Sequence, residues 1–259
     1  MAGRFRVVDT GVLEGRFNIA IDQAMIEEHQ AGRIPDTFRF MRFPPTALIG
    51  RHQALRQEVD VDHCRAHGIG IVRRITGGGA IYLDEGQLGW GLVFHRKALS
   101  ATCLAGLASD ICEAVAAGLR RLGVDARYRP RNDIEVDGRK ISGTGGFFDG
   151  DTLIYQGTVL VDMNPAAMVA ALRVPRAKLE KRQLDSAAQR VVTLRELLGP
   201  ATPGLPALQR ALLDAFRAGE KFTFDDRHLE AVEDRHAAIP MIRAMRKIRR
   251  LRADKLLSG

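Results

Sequence analysis

The chain has 259 residues, 46% hydrophobic, 27% charged and only 6% aromatic, with a formal net charge of +8. That length suits one large domain, or one domain with a small appendage, and the apolar share excludes wholesale disorder. No run approaches the ~18 apolar residues of a membrane span, and the opening Met1-Ala2-Gly3-Arg4-Phe5-Arg6 has no apolar signal-peptide core behind it. The three cysteines, Cys64, Cys103 and Cys112, are too few and too scattered for a disulfide framework. They are expected to be small buried hydrophobes in a protein of the reducing cytoplasm. The positive charge is local: residues 241–259 carry seven basic side chains against one acid, a net +6, which leaves +2 for the 240 residues before them.

In chain order, residues 18–30 show helical amphipathicity, and 37–43 alternate with period two as a half-buried strand. Pro44-Pro45 ends that strand, and 47–50 reads as its return. Asp60 or Asp62 caps a short helix to His67, stopped at Gly68. Strands are expected at 70–75 and 88–94, and the longest helix at 100–122. Short strands follow at 124–128 and 134–136, and the Asp137-Gly138 turn leads into 139–142 as a hairpin. After a glycine-rich link comes a strand over 152–161, then a helix opened by Pro165. Pro200, Pro203 and Pro206 mark a linker, followed by a helix to about Ala218, a short strand at 222–224 and a helical end. Many short strands with a few helices predict an α+β fold with a mixed, largely antiparallel β-sheet flanked by helices.

Three segments carry candidate chemistry. In Arg73-Arg74-Ile75-Thr76-Gly77-Gly78-Gly79-Ala80-Ile81-Tyr82, three glycines at a strand end let backbone amides approach an anion, with two arginines just upstream. The spacing fits neither the dinucleotide fingerprint nor the P-loop, and a plain hinge is the alternative. In Asn132-Asp133-Ile134, continued by Gly138-Arg139-Lys140-Ile141-Ser142-Gly143-Thr144-Gly145-Gly146, a strand lysine precedes glycines and hydroxyls. Such a lysine follows a moving negative charge in phosphoryl or acyl transfer, or else is a solvated hairpin residue. In Tyr155-Gln156-Gly157-Thr158-Val159-Leu160, an in-strand glycine marks a bulge or a ligand lying close.

Together, in this order, and with Phe17-Asn18-Ile19-Ala20-Ile21-Asp22-Gln23 and Gly50-Arg51-His52-Gln53, these segments resemble the lipoate–protein ligase and octanoyltransferase superfamily, related more distantly to biotin protein ligases. The resemblance covers about residues 15–225, so residues 1–225 are expected to form the catalytic domain and 226–259 a basic helical extension. It implies a biotin/lipoate-ligase-like fold and an AMP-forming, two-step enzyme. A carboxylate of lipoate or octanoate attacks the α-phosphate of ATP with Mg²⁺ present, giving acyl-AMP; a lysine of a lipoyl carrier protein then displaces AMP. Residue by residue, the resemblance assigns catalysis to Lys140. It assigns contact with ATP or acyl-AMP to Arg73, Arg74, Gly77, Gly78, Gly79, Ala80, Ile81, Tyr82, Asn132, Asp133 and Lys140, with Asp133 a candidate Mg²⁺ contact. An apolar slot for the lipoyl chain is expected from Ile75, the small-residue strand Gly89-Trp90-Gly91-Leu92, Gly157 and Thr158.

The superfamily also contains ATP-independent transferases in which a cysteine thiolate accepts the octanoyl group. No cysteine follows residue 112, which favours the ligase. Gln156 and Leu83 stand where many members have His. After the matched region only about 35 residues remain, too few for the C-terminal accessory domain of full-length ligases, so a short form or a partner subunit is implied. The expected partner is an acidic lipoyl domain or an H-protein-like acceptor. His63, Cys64 and His67 lack the further ligands of a zinc site. A non-catalytic module with a basic nucleic-acid-binding tail is the other class, disfavoured by the intact lysine and glycine loop.

Overall fold

The computed structural model describes residues 4–98, 103–173, 190–219 and 223–224. In chain order the elements are β1 (Arg4–Val12), α1 (Gly15–Gln30), β2 (Thr37–Arg42), β3 (Thr46–Ile49), α2 (Leu55–Glu58), α3 (Val61–Ala66), β4 (Gly70–Arg73), β5 (Ile81–Leu83), β6 (Gln87–His95) and α4 (Leu104–Arg120). There follow β7 (Arg127–Arg129), β8 (Asp133–Val136), β9 (Arg139–Asp149), β10 (Thr152–Leu160), α5 (Pro165–Ala171), α6 (Leu194–Leu198), α7 (Leu205–Ala218) and β11 (Thr223–Phe224).

Eight strands form one sheet in the order β11-β1-β2-β6-β10-β9-β8-β7. β1 is parallel to β2 and β11, and the other neighbours are antiparallel. β3 joins β4 and β5 in a separate three-stranded sheet. The α+β class with a mixed, largely antiparallel sheet flanked by helices is therefore what the chain adopts. None of the described helices is long and apolar enough to cross a membrane.

Strand alternation sends side chains to two faces. On one face Phe38, Phe40, Trp90 and Leu92 pack with Ile111 and Val115 of α4 and Leu212 and Phe216 of α7. Burying each such side chain contributes about 1.5–3 kcal/mol. Gly118 permits the close contact of α4 with α7, since a Cβ there would lie 2.9 Å from Leu212 Cδ2. The opposite face carries α1 through Ile21, Met25 and Ile26, and the small sheet through Met41, Phe43, Leu48 and Leu83.

Several expectations are corrected. β2 is buried on both faces, not half-buried, because its polar residue Arg39 is itself covered and paired with Asp22 at 2.8 Å. Arg39 also bonds Asn18 and Thr10, closing a polar network beneath α1. β3 is not the return strand of β2; the Pro44-Pro45 step carries it into the small sheet. The residues read as a glycine-rich link, 143–146, lie inside β9, which runs unbroken to Asp149 because β10 pairs with it through Gly157↔Thr144, Gln156↔Gly145 and Tyr155↔Gly146. Gly157 is in regular register with β6 and β9, so it marks no bulge. Helix α6 lies just before the proline segment and was not expected; Thr193 caps it by accepting from the Glu196 N–H. Cys64 and Cys112 are buried as expected, but Cys103 is exposed at the start of α4. The hairpin turn has positive φ at both Asp137 and Gly138, the backbone that an Asp-Gly pair favours. The Asp60 cap accepts from the His63 N–H at 2.9 Å, and the helix ends before Gly68, as read. Residues 226–259, including the basic tail, lie outside the described residues.

Candidate functional site

Between the main sheet and the small sheet lies a cavity of about 400 Å³, within the range usual for small-molecule sites. Its floor owes its space to missing side chains. Arg39, Gly91, Gln156 and Gly145 are cross-strand neighbours, as are Met41, Gly89 and Thr158. Gly89 and Gly145 bring bare backbone to the cavity, while Gly91 is covered by Met41 and Gln156. Ile19, Met41, Phe43, Leu48, Leu83 and Leu160 supply an apolar wall.

The glycine loop crosses the mouth, and the two arginines build it. Arg74 is buried, and its guanidinium donates to Gly77 O at 3.2 and 2.9 Å, Gly79 O at 2.7 Å and Leu48 O at 3.2 Å. Because a trans peptide points its N–H opposite to its C=O, the Gly78 and Ala80 amides point away from Arg74. Among the described residues, the N–H groups of Gly77, Gly78, Gly79 and Ala80 have no acceptor within the chain. Free successive amides of this kind can receive an anion, and here an internal cation holds them open. Burial lowers the Arg74 pKa to about 10, so it stays charged near neutrality.

Arg73 faces the other way. It donates to Gly50 O, Arg51 O and Gln53 O at 3.0, 3.2 and 2.8 Å. Gly50 is glycine by necessity, since a Cβ there would overlap the Gly78 carbonyl. The Gly50–Gln53 segment is thus a brace for the glycine loop, which explains why both blocks occur together.

Lys140, on β9, reaches the cavity from the opposite side and forms a 2.7 Å ion pair with Asp133. Arg129 holds the other Asp133 oxygen at 2.7 Å and reaches Glu135 at 2.8 Å. Burial opposes Asp133 ionisation, but Lys140 and Arg129 outweigh it and keep its pKa below the ordinary value. Both oxygens of Asp133 are thereby committed to protein cations. Among the described residues, no group of three or more His, Cys, Asp or Glu side chains gathers to hold a metal ion. His63 and His67 instead stack, with ring centroids 4.0 Å apart.

The structure brings Arg74, Gly77, Gly78, Gly79, Ala80, Ile81, Tyr82, Asn132, Lys140, Gly157 and Thr158 to the cavity wall. It does not bring Arg73, Ile75, Trp90 or Gly91 there. Trp90 projects to the opposite face of β6, into the helix-covered core. Gly91 shares the cavity face but lies under its neighbours, where a Cβ would sit 3.4 Å from Met41 Cε and 3.6 Å from Gln156 Cβ. Ile75 packs at the edge of the α1 and small-sheet clusters. Asp133 stands behind Lys140. Of the small-residue strand expected to form the slot, Gly89 does line the cavity, whereas Asp22, Thr76 and Gln156 were not assigned as wall residues from the sequence. Gln156 donates to Thr76 Oγ1 at 3.3 Å, while its buried Oε1 has no partner among the described residues. The period-two rule applied to 87–95 points to Gly89, which sits opposite in phase to Trp90.

The cysteines lie outside the wall. Burial raises the Cys64 thiol pKa; it also raises that of Cys112, against the lowering effect of hydrogen bonds to Thr144 and Tyr155 at 3.4 and 3.5 Å. Both are therefore neutral thiols near pH 7.

A glycine loop with free amides and a strand lysine facing one apolar cavity suit a ligand that joins an anionic group to an apolar chain. The model of the lipoyl protein ligase A/B catalytic domain matches residues 14–217, and the chain belongs to that family. Octanoyltransferase LipM of Moorella thermoacetica is 28% identical over 221 residues, 76% of this chain and 80% of that protein. Lipoate-protein ligase LplJ of Bacillus subtilis is 32% identical over 186 residues, 71% of this chain but only 54% of its own length. The bi-partite lipoate protein ligase of Thermoplasma acidophilum, from a structural study that includes its E2 lipoyl domain, superposes with a TM-score of 0.76 at 26% identity, covering 95% of this chain and 92% of that one.

Proposed function

We propose that this enzyme is an ATP-dependent lipoate–protein ligase. The carboxylate of lipoate, or of octanoate, attacks the α-phosphorus of ATP and pyrophosphate leaves. The ε-amine of a carrier lysine then attacks the acyl carbon of the mixed anhydride, and AMP leaves. Lys140 and the amides of Gly78 and Ala80 face the charge that develops on the phosphoryl oxygens, and Arg74 keeps those amides in place. One such donor typically contributes about 2.7–4 kcal/mol to the transition state. The apolar wall takes the acyl chain. With Asp133 engaged by Lys140 and Arg129, Mg²⁺ is expected to arrive with the nucleotide's phosphates rather than on a preformed protein site.

The observation that carries this reading is the composition of the cavity: a lysine and free amides, with every cysteine outside it. A thioester route needs a reactive thiolate at the acyl carbon. Exchange of labelled pyrophosphate into ATP that depends on lipoate or octanoate tests the reading; its absence with both acids overturns it.

A second reading, octanoyl transfer from an acyl carrier without ATP, draws support from the similarity to octanoyltransferases. The chain spans 80% of the Moorella octanoyltransferase but 54% of the Bacillus ligase. The same assay separates the two, because only adenylation exchanges pyrophosphate. The acceptor in either case is a lipoyl carrier, an E2 lipoyl domain or an H-protein-like protein. Under the ligase reading, the likeness to the bi-partite archaeal ligase supports the proposal of an accessory subunit. Residues 1–225 are proposed as the catalytic domain.

A further inference from the structure

Lys140 and Gly143 are three residues apart on one strand, so simple alternation would place them on opposite faces. They share a face because β9 carries one extra residue. Its partners on β8 run Asp133↔Gly143, Ile134↔Ser142, then Glu135↔Lys140, which leaves Ile141 unpaired. A bulge of this kind re-aims the side chains that follow it. Ile141 is fully buried in the core and fixes the register. The Lys140 backbone is held on its other edge as well, its carbonyl accepting from the Val192 N–H at 3.0 Å.

The consequence is that the Lys140 side chain lies across the bare Cα of Gly143. A Cβ at Gly143 would overlap Lys140 Nζ and Cε and touch Cδ at 4.0 Å; its three nearest atoms all belong to that lysine. Gly143 has no positive φ, so its backbone conformation does not demand glycine. Two residues on, a Cβ at Gly145 would meet nothing within 4 Å among the described residues.

We propose that Gly143 is a positioning residue: its missing side chain forms the floor of a cradle, walled by Asp133, that fixes the Lys140 ammonium at the cavity. The displaced atoms are the far end of a flexible side chain. A methyl group at 143 therefore moves the ammonium off Asp133 while leaving the strand intact. The proposal rests on the reading that Lys140 serves the acyl transfer.

Gly143→Ala is compared with wild type and Gly145→Ala by timed acetylation with acetic anhydride, read at each lysine by mass spectrometry. Gly143→Ala is expected to label Lys140 at least threefold faster, with the other lysines and the thermal midpoint unchanged, and Gly145→Ala to label Lys140 as wild type does. Acylation of a lipoyl domain is measured with lipoate and ATP and with octanoyl-acyl carrier protein, following whichever donor wild type uses. For Gly143→Ala, kcat is expected to fall at least tenfold while KM for the donor stays within twofold. Wild-type labelling of Lys140 in Gly143→Ala, or equal acceleration in Gly145→Ala, overturns the cradle. Full activity in Lys140→Ala would instead sink the proposed role of that lysine, and the labelling result would still decide whether Gly143 places it.

Discussion

Replacing Arg74 by Met keeps the side-chain stem and removes the guanidinium donors to the Gly77 and Gly79 carbonyls. The Leu48 carbonyl is then left without Arg74 in a buried strand, which costs about 1–3 kcal/mol. Gly77 and Gly79 are exposed, so water takes over their carbonyls. For a domain of this size the cost corresponds to a fall in Tm of about 2–12 °C. The functional loss is separate and larger in consequence. Once Arg74 is gone, residues 77–80 have no hydrogen bond from their amides to the described chain, and each residue ordered on ligand binding costs about 1–2 kcal/mol. Even one residue's ordering lowers affinity by about tenfold. Calorimetric titration with a non-hydrolysable lipoyl-adenylate analogue, beside a thermal melt, measures both effects. Arg74→Met should bind at least ten times more weakly, with Arg74→Lys in between. Wild-type affinity in a variant that melts lower would refute the claim that Arg74 shapes the nest.

Lys140→Ala should abolish acyl activation while the circular dichroism spectrum and melt stay as in wild type; adenylation at the normal rate would contradict the assignment. Gly78 has φ +96°, and a Cβ there would lie 3.0 Å from the Arg74 guanidinium. Gly78→Val should therefore weaken the analogue by at least tenfold, about 1.4 kcal/mol, and unchanged calorimetry would reduce the loop to a hinge. Burial pushes the Asp22 carboxyl from 3.8 up to about 6 against the pull of Arg39. The native state thus holds that proton more tightly than the unfolded chain, and the contribution is full below about pH 4 and lost as pH rises through about 6, on the order of 3 kcal/mol. Urea midpoints of Asp22→Asn should show a flatter profile across that window, and an unaltered slope would mean that Asp22 does not titrate there.

The sequence made the fold class and the glycine-loop and lysine blocks legible because each has a local cause: strand periodicity, an Asp-Gly turn, a triple glycine. What it hid were the partners. Arg73 and Arg74 are adjacent in the chain yet face opposite ways, and both spend their guanidinium groups mainly on backbone carbonyls of neighbouring segments, which no spacing rule reveals. Residues 143–146 read as a link because glycine is a poor strand former, but pairing with β10 outweighs that local preference. Trp90 was expected near the acyl chain from its small neighbours, when alternation sends it to the helix side. The bulge at Ile141 was not legible either, since it arises from the register between β8 and β9.

The central claim is that this cavity activates a carboxylic acid as an adenylate. The purified chain, incubated with ATP, Mg²⁺ and labelled pyrophosphate, should return label to ATP only when lipoate or octanoate is added, and Lys140→Ala should not. Exchange that never appears, together with octanoylation of a lipoyl domain from octanoyl-acyl carrier protein in the absence of ATP, would contradict the claim and make the enzyme a transferase.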